Sequence, residues 1–136
     1  MTTISQALTS LGVTEWVLRG EPTNETEFNA MFRKVTGSKD GSAIESATPS
    51  DFGTTWKAVS DKKTELTTAE PMRLLRVERD RLLAECDWMA NSDVTLADNW
   101  KTYRQALRDL PSGASPKLSA DGSLDMSSVT FPTKPS

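Results

Sequence analysis

Leu96, Trp100, Tyr103, Leu107 and Leu110 recur at i, i+4, i+7, i+11 and i+14, and this stripe constrains the fold more than any other feature of the chain. A strand, with its period of two, would throw these side chains onto opposite faces. A helix gathers them on one. Pro111 and Gly113 are placed to stop that helix, and Thr95 to cap it. Upstream lies a polar break at Asn91–Asp93. Before the break a second helical pattern runs from about Ala69 to Trp88, with Met72, Leu75, Leu82, Leu83 and Cys86 on a broad apolar face. Thr67 or Thr68 can cap it, and Pro71 fits a first helical turn, where its missing N–H is not needed. The two segments therefore predict a helical hairpin over about 69–110, with Trp88 and Trp100 on either side of its turn.

The N-terminal half alternates helix and strand signals. Ile4, Ala7, Leu8 and Leu11 share a helix face, and Gly12 follows as a C-terminal stop. Glu15–Arg19 is rich in β-formers and predicts a short strand closed by Gly20. A second helix is expected from the cap at Thr23 or Asn24, with negative charge at Glu25–Glu27 in its first turn. Its apolar stripe is Phe28, Met31, Phe32 and Val35, and Gly37 ends it. The polar stretch 37–53 reads as a loop with a β-turn in Lys39–Ser42. Thr54–Leu66 predicts a third helix that turns Trp56, Val59 and Leu66 inward. The Ser- and Pro-rich segment Ser112–Ser136 predicts an extended tail, with Val129–Phe131 as a candidate strand. The expected fold class is α+β, mainly helical: a hairpin, additional N-terminal helices and one or two short strands. The expected domains are 1–53, 54–111 and 112–136. Whether the strands pair with each other or with a partner is open.

The residue inventory narrows the chemistry. Among 136 residues there is no histidine, which removes the commonest general base and the commonest neutral metal ligand. One cysteine allows neither an intrachain disulfide nor a cysteine-rich zinc site. Asp51-Phe52-Gly53 spells a kinase triplet, but no glycine-rich loop, lysine strand or catalytic loop accompanies it. No enzyme activity, cofactor or metal is expected. The net charge is −3, and segment 69–110 holds seven basic and eight acidic residues. A nucleic-acid reading would use Arg73, Arg76, Arg79 and Arg81, and the interleaved carboxylates argue against it. No run of eighteen apolar residues is present, and the N-terminus lacks the basic and apolar regions of a secretory signal. Neither nucleic acid nor membrane is an expected partner.

The positive signal lies in two blocks. Arg76, Arg79, Asp80, Leu82, Leu83, Asp87 and Trp88 form one. Trp100, Tyr103, Arg104, Gln105, Ala106, Leu107, Arg108, Asp109 and Pro111 form the other. With Val129, Phe131 and Pro132 downstream, they resemble the phage tail assembly chaperone domain. The remainder is similar to small structural proteins of large tailed cyanophages. The resemblance covers roughly the last half of the chain. The chain departs from the family at Cys86, where Thr or Ser is usual, and at Phe131, where tryptophan is common.

The resemblance implies a non-enzymatic phage tail protein. It would bind tail or tail-fibre polypeptides as a small structural component of the virion tail, after synthesis in the host cytoplasm. The alternative is a tail or tail-fibre assembly chaperone absent from the mature particle. A homo-oligomer is a further open arrangement.

Six residues are candidates for partner contact: Trp88, Trp100, Tyr103, Arg104, Arg108 and Phe131. Each also has a structural reading. The two tryptophans can pack on each other across the turn, and Tyr103 can sit in the core. The arginines can pair with Asp80, Asp87 and Asp109, including the i, i+4 pairs Arg76–Asp80 and Arg81–Glu85. Cys86 reads as an inert core thiol.

Overall fold

The computed structural model describes residues 2–91 and 93–136; Met1 and Ser92, the latter inside the expected break at Asn91–Asp93, lie outside it. The chain divides into two compact units, Met1–Thr68 and Ala69–Ser136.

The first unit opens with α1 (Ile4–Ser10). Thr3 Oγ1 accepts the Gln6 N–H at 3.2 Å while Gln6 Oε1 accepts the Thr3 N–H at 2.8 Å. This reciprocal capping box satisfies two of the donors that a helix start leaves orphaned. β1 (Trp16–Leu18) follows, then α2 (Glu25–Met31). Asn24 caps α2, its Oδ1 accepting the Glu27 N–H at 2.9 Å. The Glu27 carboxylate returns to Thr23, taking the backbone N–H at 2.8 Å and the hydroxyl at 3.0 Å.

Here the structure corrects the expected helix. α2 stops at Met31, and Phe32 turns extended at φ −86°, ψ 140° to begin β2 (Phe32–Lys39). Val35 is therefore a strand residue, not the last member of a helical stripe. The sequence supports both periods at this point. Phe28, Met31 and Phe32 fit a helix, but Phe32, Lys34 and Thr36 alternate with Arg33 and Val35, and β1 supplies the missing ladder partner. β2 pairs antiparallel with β1, Val17 opposite Arg33. It also pairs antiparallel with β3 (Ser42–Ser46), which occupies part of the expected loop. The order is β1-β2-β3. The β2–β3 turn is the expected one: Asp40 and Gly41 have φ of 52° and 80°. Two positive φ values define the type I′ geometry, whose twist matches the flanking strands and favours Asp-Gly.

The core of this unit is aromatic. Ile4, Ala7, Leu8, Phe28, Phe32, Phe52 and Val59 are buried together, with Val13, Trp16, Leu18 and Trp56 packed around them. Phe28 and Phe32 stack at 4.9 Å, and Phe52 meets both edge-on at 6.0 and 4.7 Å. The phenylalanine of the kinase-like triplet is thus a core anchor.

α3 (Trp56–Cys86) begins in the first unit and ends in the second. It is one helix where two were expected, with Pro71 in its interior. Thr67 and Thr68 do not cap a new helix. Their hydroxyls donate back to the carbonyls of Lys63 and Thr64, at 2.7 and 2.9 Å, the bond that lets threonine stay in a helix interior. A 3-10 turn at Asp87–Ala90 follows, then α4 (Asp98–Gly113). α4 starts after Ala97 rather than at a Thr95 cap, and it continues through Pro111 to Gly113.

The tail forms no strand at Val129–Phe131. Its regular features are one antiparallel bridge, Leu118 with Leu124, and a 3-10 turn at Met126–Ser128. Asp125 caps that turn, accepting the Ser127 N–H at 3.0 Å. Val129 is buried all the same. Among the described residues the three strands all lie in the first unit and pair with one another, so the whole is a mainly helical α+β chain.

Candidate functional site

The second unit carries all six candidate residues, and the structure gives them different work. Arg104 is 7% exposed, an unusual burial for a guanidinium. The helical stripe places it beside Tyr103 and Leu107, the other buried residues of α4. From there its Nη1 donates to the Leu83 carbonyl at 3.2 Å and to Cys86 Sγ at 3.0 Å. Its Nη2 donates to Asp87 Oδ1 at 2.9 Å. Leu83 is within the last turn of α3, where four carbonyls have no partner inside the helix. One side chain thus caps the end of α3 from α4. Burial on its own would lower the Arg104 pKa. The hydrogen bonds to Cys86 and Asp87 outweigh it, and the net shift is upward. Arg104 is a fixed charge in a fixed fork, a task lysine could not perform.

Tyr103 is buried, and burial pushes its phenol pKa up. Its ring lies 5.7 Å from Trp100, tilted 46°. Trp100 and Phe131 are half-buried. Trp88 stands on the 3-10 turn, 57% exposed. Among the described residues Trp88 and Trp100 form no ring pair; Trp100 packs on Tyr103 instead. Arg108 is exposed, and among the described residues its one hydrogen bond is to Gln105 Oε1, at 3.3 Å.

The expected pairings hold in part. Arg104 takes Asp87, and Arg81 bridges Glu85 at 2.7 Å and Glu78 at 2.6 Å. Asp80 pairs with Arg79 at 2.8 Å rather than with Arg76. Asp109 accepts from Gln105, one turn earlier on its own helix, and not from an arginine of α3. Sequence reasoning did not single out Val77, which is 55% exposed on α3. Its position off the Met72–Leu75–Leu82 face was the available signal.

Two open troughs of about 600 and 580 Å³ follow α4. The first is lined by Leu96, Lys101 and Arg108 among others. The second lies between Tyr103 and the terminal stretch Pro132–Ser136. Shallow mixed troughs of this kind suit a polypeptide better than a small substrate, which prefers an enclosed pocket. Among the described residues no group of three or more His, Cys, Asp or Glu could hold a metal ion.

Residues 72–136 match the phage tail assembly chaperone protein family. The match begins inside α3 and takes in the Arg104 fork, Trp88, both troughs and the tail. The match supports a phage tail-related role. Residues 1–71 fall outside it. No curated protein and no solved structure matches the chain. Among the described residues, no helix is long and apolar enough to cross a membrane.

Proposed function

We propose that the chain is a non-enzymatic tail protein of a phage, which binds tail or tail-fibre polypeptides and stays in the particle as a small structural component. The family match over residues 72–136 carries the reading. Within that region we assign the contact surface to Trp88 and Arg108, the two candidates left on the outside. Trp100 and Phe131 are half-buried, and Tyr103 and Arg104 are held inside the fold. A tryptophan 57% exposed leaves a large apolar area in water, and burying it against a partner is what makes tryptophan a frequent interface anchor. The first unit supports a resident role, because it has an aromatic core of its own outside the family match. The family description favours a second reading, an assembly chaperone that leaves before the particle matures.

Quantitative mass spectrometry of purified particles separates the two. A fixed copy number relative to other tail proteins supports the structural role, and absence from particles supports the chaperone. Co-expression with tail and tail-fibre proteins tests both. If no tail component co-purifies, the tail-binding reading is wrong.

A further inference from the structure

The first unit contains an open sheet edge whose hydrogen-bonding pattern can be worked out from both ends. Lys39 and Ser42 close a two-residue hairpin, and the closing pair of such a hairpin exchanges hydrogen bonds. The next pair, Ser38 with Ala43, therefore does not, and the backbone N–H and C=O of Ala43 point away from β2. At the other end, the Val35 N–H is donated to the Glu15 carbonyl on the β1 side at 2.7 Å. Val35 thus does not exchange hydrogen bonds with Glu45, which stands opposite it. The backbone of Glu45 points outward as well. Among the described residues no turn, loop or cap hydrogen bond covers either residue.

This edge carries little of the protection that sheet edges usually have. β3 contains no proline and no lysine, and the bulge between Val35 and Gly37 sits in β2. Its one charge, Glu45, is paired with Arg19 at 2.8 Å. Its central side chain, Ile44, is 46% exposed.

We infer that β3 pairs with β3 of a second copy of this chain, antiparallel and centred on Ile44. Ser42-Ala43-Ile44-Glu45-Ser46 is self-complementary in that register. Ala43 faces Glu45 of the second copy, so the four outward backbone groups on each side are the ones that meet. Ile44 faces Ile44, in the closer non-hydrogen-bonded pair, where apolar side chains touch best. Serine faces serine at both ends, and no two glutamates stand directly opposite. Two three-stranded sheets become one continuous sheet. The symmetry favours a second copy over an unrelated strand, for which the edge offers one apolar side chain to recognise. A five-residue strand pair is smaller than a standard interface, so the association is weak and depends on concentration.

The full chain tests this with no tail protein present, so failure here is separate from failure of tail binding. In Ile44→Cys the two sulfurs meet across the dyad within disulfide reach. In Ser42→Cys they are about 13 Å apart along the strands. Oxidation should cross-link Ile44→Cys at least about tenfold faster than Ser42→Cys, because disulfides demand close Cβ atoms. Cys86, 2% exposed, stays out of the reaction. Sedimentation velocity of the parent should shift toward dimer as concentration rises to the millimolar range. Ala43→Pro removes an outward donor that β2 does not use, and should abolish the shift with the far-ultraviolet dichroism unchanged. Equal cross-linking of the two cysteine variants would overturn the inference. So would a parent that remains monomeric throughout, including one that takes up only a strand from another protein.

Discussion

Replacing Arg104 by alanine removes three hydrogen bonds and most of a buried side chain. The two distal methylenes contribute about 0.8 kcal/mol each by transfer, about 1.6 kcal/mol together. The part-buried Leu83 carbonyl is left with only the weak Cys86 thiol bond at 3.5 Å, and a poorly satisfied acceptor costs about 1 kcal/mol, the low end of the range for an unsatisfied one. The Asp87 bond adds little, since that carboxylate side chain is 63% exposed and water replaces the guanidinium. The sum is about 3 kcal/mol. Arg104→Met keeps the stem and loses only the fork, so it should cost about half as much. Arg108→Ala, at an exposed position on the same helix, should stay within about 0.5 kcal/mol of the parent. Urea denaturation followed by circular dichroism measures the series, and hydrogen exchange at α4 amides localises the effect to the second unit. If Arg104→Ala and Arg108→Ala lose equal stability, the view of Arg104 as the cap of α3 is wrong.

Phe52→Ala should destabilise the first unit by about 3–5 kcal/mol, the range for removing a buried aromatic ring, as measured by urea denaturation with tryptophan fluorescence. A loss below about 1 kcal/mol would show that Phe52 does not anchor the Phe28–Phe32 stack. Tyr103 is the only tyrosine, so ultraviolet absorbance reports its ionisation without ambiguity. Burial raises its folded pKa above the ordinary value of about 10, so its contribution is complete below pH 10 and is lost as pH rises through the folded pKa. A midpoint at or below 10 in the native protein would contradict the burial. Trp88→Ala should leave stability within about 0.5 kcal/mol while weakening capture of tail polypeptides in pull-down assays. Undiminished capture would remove Trp88 from the contact surface.

Local signals were legible wherever one residue type answered one need. Asn24, with acidic residues behind it, and Asp40-Gly41 announce a cap and a turn, and each stands where the sequence puts it. β3 was not legible because Ser-Ala-Ile-Glu-Ser has almost no strand preference of its own. It exists because β2 offers it a ladder and the turn delivers it there. α2 was read too long because Phe32 satisfies both periods, and the choice between them is made by β1, sixteen residues upstream. The break expected before Pro71 failed because Thr67 and Thr68 can cap a helix or bond back within one. At the candidate site, Asp87 was foreseeable as an arginine partner, since opposite charges can be matched from sequence. The Leu83 carbonyl was not, because backbone acceptors carry no letter of their own.

The contact between Arg104 Nη1 and Cys86 Sγ makes the lone thiol a gauge of its own surroundings. A labelling reagent cannot reach the sulfur while α4 keeps its hold on the end of α3. The labelling rate of the native protein therefore rises and falls with how much that junction opens. A tail polypeptide that clamps the junction would slow the reaction. One that pries the helices apart would speed it, without any engineered probe.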